Sequence, residues 1–347
     1  MLSPIAIGVV LALGSAIAFG LTTPAIAWAS RDAGPLSIAA LLYAGAVIAA
    51  FAMRFGPRSG GSGLERRDLP RILGIAVAGA AVAPVCLAWG LSRSGATAGS
   101  LVLNLEAVLT VLLAWMIYRE PLGRRVVVAV AIMAIAGVLL AVDASARTSA
   151  GLWGAIAVGA ATLAWAIDNT LTRGLAERDP LHVIAAKGAL GAVMTGTAAL
   201  LRGEPLPELA TIGALVACGA TGYGVSLRLY LLAQRRIGAA RTGSVFALAP
   251  FVGAAIAFAL GDRDASLLTA FAAVGFAVGV YLHLSEKHGH AHLHEPAEHE
   301  HAHRHDDGHH GHAHDPLVVG EHTHRHAHAR TEHVHDHAPD VHHDHTH

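Results

Sequence analysis

Apolar runs of about twenty residues, the length of helix that crosses a bilayer, recur along most of this chain and constrain its fold more than any other feature. Ten are marked off by breaks containing Gly, Pro or Arg, at approximately 4–29, 36–53, 70–91, 96–118, 125–142, 152–172, 181–201, 208–233, 240–260 and 266–284. In hydrocarbon each segment must satisfy its own backbone polar groups, which restricts such runs to helix. The sequence therefore predicts an all-α membrane protein with ten transmembrane helices and the lipid bilayer as its first partner. Composition agrees: 54% of the 347 residues are hydrophobic, 14% are charged and the mean hydropathy is +0.50, too apolar for a water-facing surface. Cys86 and Cys218 both sit inside apolar runs, which gives neither a disulfide framework nor a cysteine metal site. The start, MLSPIAIGVV, lacks a basic region and a small-residue cleavage site, and reads as part of the first span.

Arginine orients the chain, because basic residues are retained on the cytoplasmic side. With the N-terminus inside, thirteen arginines between Arg54 and Arg241 fall in cytoplasmic loops, against Arg31, Arg93, Arg147, Arg202 and Arg263 outside. The expected placement is the inner (plasma) membrane with both termini cytoplasmic. Trp28, Trp89, Trp115 and Trp153 fall near helix ends, as interfacial anchors do.

The chain also repeats itself. GATAGSLVLNLEAVLTVLLAWMIYRE (95–120) lies over GAARTGSVFALAPFVGAAIAFALGD (238–262), and GSAIAFGLTTP (14–24) lies over AATLAWAIDNT (160–170). Two halves of five helices follow, 1–142 and 151–284, with a tail from 285 to 347. An odd number of spans makes the halves insert in opposite orientations, the inverted repeat typical of secondary transporters. Glu120 and Asp262 close equivalent helices and read as terminus or loop contacts.

Those motifs, together with IYREPL after the fourth helix, resemble the EamA-type family of the drug/metabolite transporter superfamily over roughly residues 4 to 284. The resemblance implies a polytopic permease, often an exporter of small metabolites, with a central cavity between the repeats. It also implies a difference here: where the family often has proline in the fourth helix, as Pro250 stands in the ninth, this chain has Glu106.

Ionisable side chains within a span cost about 2.5–3.5 kcal/mol on insertion scales and face a cavity or a partner. Glu106 sits ten residues from one end of its predicted helix and twelve from the other, where a carboxyl can take up and release a proton or bind a cation; the alternative is a structural hydrogen bond to a neighbouring helix. Asp168, Lys187 and Arg228 enter their helices to similar depths from the cytoplasmic side and form a possible charge cluster. Asp168 and Lys187 read equally as a fixed ion pair or as part of a substrate site. Asn104 and Asn169 would add neutral hydrogen bonds, or interhelical glue. No G-x-x-x-x-G-K-[ST] pattern is present for ATP, so transport would be proton-coupled or exchange-driven.

The tail is different in kind. Of 25 histidines, all but His182 and His283 lie between 288 and 347. The candidate ligands are His299, His301, His303, His305, His309, His310, His312, His314, His322, His324, His326 and His328. Imidazole is the commonest protein ligand for Ni, Co, Zn and Cu, and a disordered tail with many donors needs no preformed site. A solubilising low-complexity tail and a pH sensor are alternatives. Three functions remain in view: a metabolite exporter with a metal-binding cytosolic tail, a Ni/Co/Zn exporter, and a membrane-anchored metal buffer. None is an enzyme, needs a cofactor or binds nucleic acid, and each is compatible with a homodimer.

Overall fold

The computed structural model describes residues 4–54, 62–118, 123–175, 178–263 and 265–284, and in the tail 288–294, 298–303, 322–327 and 331–337. The apolar runs are helices. α1 (Pro4–Gly20) and α2 (Thr22–Ala29) follow one another, then α3 (Pro35–Met53). α4 (Leu69–Ile75), a π-helical stretch Ala76–Val82 and α5 (Ala83–Ser94) form one continuous rod. α6 (Ala96–Val102) and α7 (Leu105–Tyr118) are separated by a break, and α8 (Arg124–Arg147), α9 (Ser149–Thr172) and α10 (Pro180–Arg202) are unbroken. α11 (Leu209–Cys218), a second π-helical stretch Gly219–Val225 and α12 (Ser226–Phe246) again run together, followed by α13 (Ala249–Ala259) and α14 (Leu267–Leu284).

Among the described residues, eight segments are long and apolar enough to cross a membrane, from Ala6–Ala29 to Leu209–Ala233. The runs predicted at 240–260 and 266–284 appear as shorter apolar helices, and no loop separates the eighth from the ninth, because α12 continues to Phe246. α13 is short because the helix breaks at Ala247 and Leu248, just before Pro250, whose ring and missing N–H do not fit a continuing helix. α12 itself doubles back. The rings of Tyr230 and Phe246 are 5.2 Å apart, where a straight helix would separate the two residues by about 24 Å.

The outer surface carries Ile48, Phe51, Val138, Leu200 and Leu201, the side chains that lipid requires. Between helices, small residues allow close approach: Gly90 of α5 packs on Gly154 and Val158 of α9, and Gly275 of α14 on Ala136 of α8. A register that sets Gly95 over Gly238 also sets the first π-helical stretch over the second. With one further residue in the second half, the break at Leu103 and Asn104 matches the one at Ala247 and Leu248.

The described parts of the tail are four short strands. β1 (His288–His294) pairs antiparallel with β4 (Thr331–His337), and β2 (Glu298–His303) with β3 (His322–Ala327). Alternation of His with other residues has the two-residue period of a strand. His299, His301 and His303 stand opposite His326, His324 and His322; His305, His309, His310, His312, His314 and His328 lie outside the described residues, as does Glu120.

Candidate functional site

The break between α6 and α7 places Glu106 in the first turn of α7, where a helix end favours negative charge. Asn104 is used by the break itself: buried, it donates from Nδ2 to the Leu101 carbonyl at 3.0 Å. Glu106 Oε1 accepts a 2.8 Å hydrogen bond from Asn169 Nδ2 on α9. Asn169 is exposed although it lies about 200° round the helix from the outward-facing Ile167, so its exposure is to space inside the bundle. Glu106 is half-buried at the same place.

One residue earlier on α9, Asp168 is paired with Lys187 of α10. Its carboxylate lies against Gly79 in the first π-helical stretch, where a Cβ would collide with it. A π-helical stretch disturbs the ordinary backbone ladder, and the Gly79 carbonyl accepts from Tyr43 Oη at 2.5 Å and from Trp165 Nε1 at 3.2 Å. The structure thus gathers Glu106, Asn169, Asp168 and Lys187. Arg228 Nη1 lies 3.3 Å from the Met53 carbonyl at the end of α3.

Sequence reading missed the aromatic cluster beside these groups. Phe19 meets Trp165 (ring centroids 6.5 Å), Tyr223 (5.8 Å) and Phe246 (5.5 Å), and Tyr43 meets Tyr223 at 5.4 Å. The available signal was position: Tyr43, Trp165 and Tyr223 lie in mid-helix, whereas Trp28, Trp115 and Trp153 are exposed.

Polar contacts also close both ends of the bundle. At the end expected to be cytoplasmic, Arg178 reaches Glu65 (2.7 Å), Asp68 (2.8 Å) and Ser62 Oγ (2.8 Å). The hydrogen bond from Arg178 is the main cause holding the Glu65 carboxyl below the usual range. At the other end, Glu204 accepts from the Leu36 and Ser37 backbone N–H groups (3.2 and 2.9 Å) and Ser37 Oγ (2.8 Å). Asp262 Oδ2 accepts from Ala96 N and Thr97 N (2.5 and 2.8 Å), beside a cavity of about 180 Å³ lined in part by Arg93, Asp143 and Thr148.

An apolar bundle of broken helices with charged and amide groups gathered at the breaks is the build of a membrane transporter. The chain belongs to the EamA-like transporter family, whose sequence model matches residues 6–142 and again 152–285. It is similar to an uncharacterized transporter of Methanothermobacter thermautotrophicus, 26% identical over 225 residues that make up 63% of this chain and 65% of the relative. It therefore spans just under two thirds of that relative's length. A solved crystal structure shares the fold at a TM-score of 0.58 and 20% identity, covering 80% of this chain and 98% of its own.

Proposed function

We propose that the chain is a secondary-active exporter of a small amphipathic metabolite, with ten spans in two inverted five-helix repeats that rock about a central site. Glu106 is its coupling or substrate-binding residue. The observation that carries the reading is the Glu106–Asn169 pair, polar and facing internal space at a helix break in an otherwise apolar bundle.

The inverted arrangement is supported by reciprocal contacts. The loop after the second span, 62–68, meets Arg178 at the entry to the seventh, and Glu204 after the seventh meets Leu36 and Ser37 at the entry to the second. A two-fold axis in the membrane plane relates such contacts. The reversal within α12 supports a ninth span starting before α13. The arginine distribution favours an inner-membrane protein with cytoplasmic termini, and a tail that buffers Ni, Co, Zn or Cu on that side. One carboxyl, an amide and a neutralised ion pair suit an organic solute better than a dehydrated divalent ion, which needs several anionic or imidazole ligands.

The test compares untargeted metabolite profiles and Ni, Co and Zn contents of cells lacking the protein with cells carrying the wild type, Glu106→Gln, or a chain ending at Leu284. A solute depleted by wild type and by the truncated chain, but not by Glu106→Gln, supports the proposal. Metal depletion lost in both variants would make metal the cargo, and profiles identical to those of cells lacking the protein would end the transport reading.

A further inference from the structure

We propose that the central site selects a monovalent organic cation, an amine with an apolar body, held by the Glu106 carboxylate against the aromatic cluster. The inference rests on the reading that Glu106 lines the transport path, and it adds the charge and shape of the solute.

The described spans contain four acids. Asp68 is paired with Arg178 and Asp168 with Lys187, while Asp143 accepts from Thr269 near the end of its helix. Glu106 differs from the two paired acids, and from Asp143 in lying away from the end of its span: its hydrogen bond comes from the neutral amide of Asn169, and among the described residues no basic side chain forms an ion pair with it. The groups within electrostatic range are Asp168 and Lys187, which neutralise each other, and Tyr43 and Tyr223. A solute entering the space beside Glu106 thus meets one uncompensated negative charge.

The aromatic cluster begins next to that charge. Trp165 precedes Asn169 by one turn on the same face of α9, and from Trp165 the rings continue through Phe19 to Tyr223 and Phe246. Phe19, Tyr223 and Phe246 are half-buried. The Tyr223 hydroxyl is buried beside the Thr22 side chain. Aromatic faces attract cations and take up apolar bodies. An anion would be repelled by Glu106, and a neutral solute would leave its charge uncompensated.

The full-length protein, purified in detergent micelles, is titrated calorimetrically at pH 8 with ethylamine, hexylamine and 2-phenylethylamine, and with phenylacetamide and phenylacetate as neutral and anionic counterparts. Affinity should rise from ethylamine to 2-phenylethylamine, and the amide and the anion should bind at least about thirtyfold more weakly than the aromatic amine, the ratio expected for losing one partner of a buried charge pair. Glu106→Gln should remove the preference for the amine, Glu106→Asp should keep it at lower affinity, and lowering the pH should weaken amine binding as protons compete for the carboxylate. Equal binding of phenylacetate or phenylacetamide, unchanged amine binding in Glu106→Gln, or no amine binding at all would overturn the proposal. In cells, Glu106-dependent export of a neutral or anionic solute would overturn cation selection while the export reading stands; amine binding with no exported solute would do the reverse.

Discussion

The two halves of the bundle share a backbone plan and divide sharply in chemistry. Gly79 and Gly222 hold corresponding places in the two π-helical stretches, and each receives a side chain from the opening helices of the other half: Asp168 against Gly79, Thr22 against Gly222. The alignment that sets Thr22 over Asp168 also sets Phe19 over Trp165, and those two rings meet. Where α13 opens on Pro250, α7 opens on Glu106. A helix's first turn accommodates proline, which has no N–H to satisfy, and an acid, which the helix end stabilises. The same broken backbone can therefore carry a charge at one copy of a position and none at the other, and the site draws Glu106 from the first half and Asp168, Asn169 and Lys187 from the second.

The largest test of that asymmetry is Lys187→Met. It leaves Asp168, almost fully buried, without its counter-ion and should cost about 3–5 kcal/mol, seen as an early thermal unfolding transition in detergent. Asp168→Asn combined with Lys187→Met should recover most of the loss. In the other half, Thr22→Val removes a hydroxyl bonded to the Phe19 carbonyl at 2.7 Å and should cost about 1 kcal/mol. If the two single variants unfold together, the halves do not differ as described.

A smaller effect on stability, with a large one on transport, is expected of Glu106→Pro, which makes the opening of α7 like that of α13. Proline removes the N–H that now donates to the Leu103 carbonyl at 3.0 Å, worth about 1 kcal/mol, and keeps the helix start. The protein should remain folded by gel filtration and circular dichroism while Glu106-dependent export disappears. Export at the wild-type rate would show that the charge in this half is dispensable.

Much of this contrast is legible in the sequence, because hydrocarbon leaves few alternatives. The apolar runs, the internal offset, the mid-span position of Glu106 and the matching depths of Asp168 and Lys187 all follow from length and helical rise. Depth fixes height along the membrane normal and says nothing of direction round the helix, so the Arg228 hydrogen bond to the Met53 carbonyl could not be foreseen. The π-helical stretches AVAGAAV and GATGYGV have no feature that separates them from ordinary packed helix. The aromatic cluster depends on which helices are neighbours, which one sequence does not state.

The acids at the ends expected to face outward offer a finer comparison. Asp262 caps the start of α6 and Glu204 the start of α3, each from the opposite half. Asp262→Ala and Glu204→Ala should each cost about 1 kcal/mol, the usual worth of a helix cap, measured by thermal unfolding. Because the two sites share no partners, the double variant should lose the sum; a loss well beyond it would mean that the two contacts close as one unit.

The smallest expected effect lies at the opposite end, where Arg178 holds the 62–68 loop. Its hydrogen bond to Glu65 keeps that carboxyl below the usual carboxylate range. A group whose folded pKa is lowered contributes stability that is fully present above its unfolded value, about 4.3 for Glu, and is lost as pH falls through the lowered folded value. Glu65 is 49% exposed, so solvent and salt screen the contact and the effect is local. Hydrogen exchange should therefore show the Asp179 N–H, which donates to the Ser62 carbonyl at 2.8 Å, losing protection on acidification from neutral pH to below that range. Glu65→Gln should be less protected at neutral pH and change less on acidification, while the Arg178–Asp68 pair persists. An identical acid response in wild type and Glu65→Gln would assign the loosening to Asp68 and remove Glu65 from the clamp.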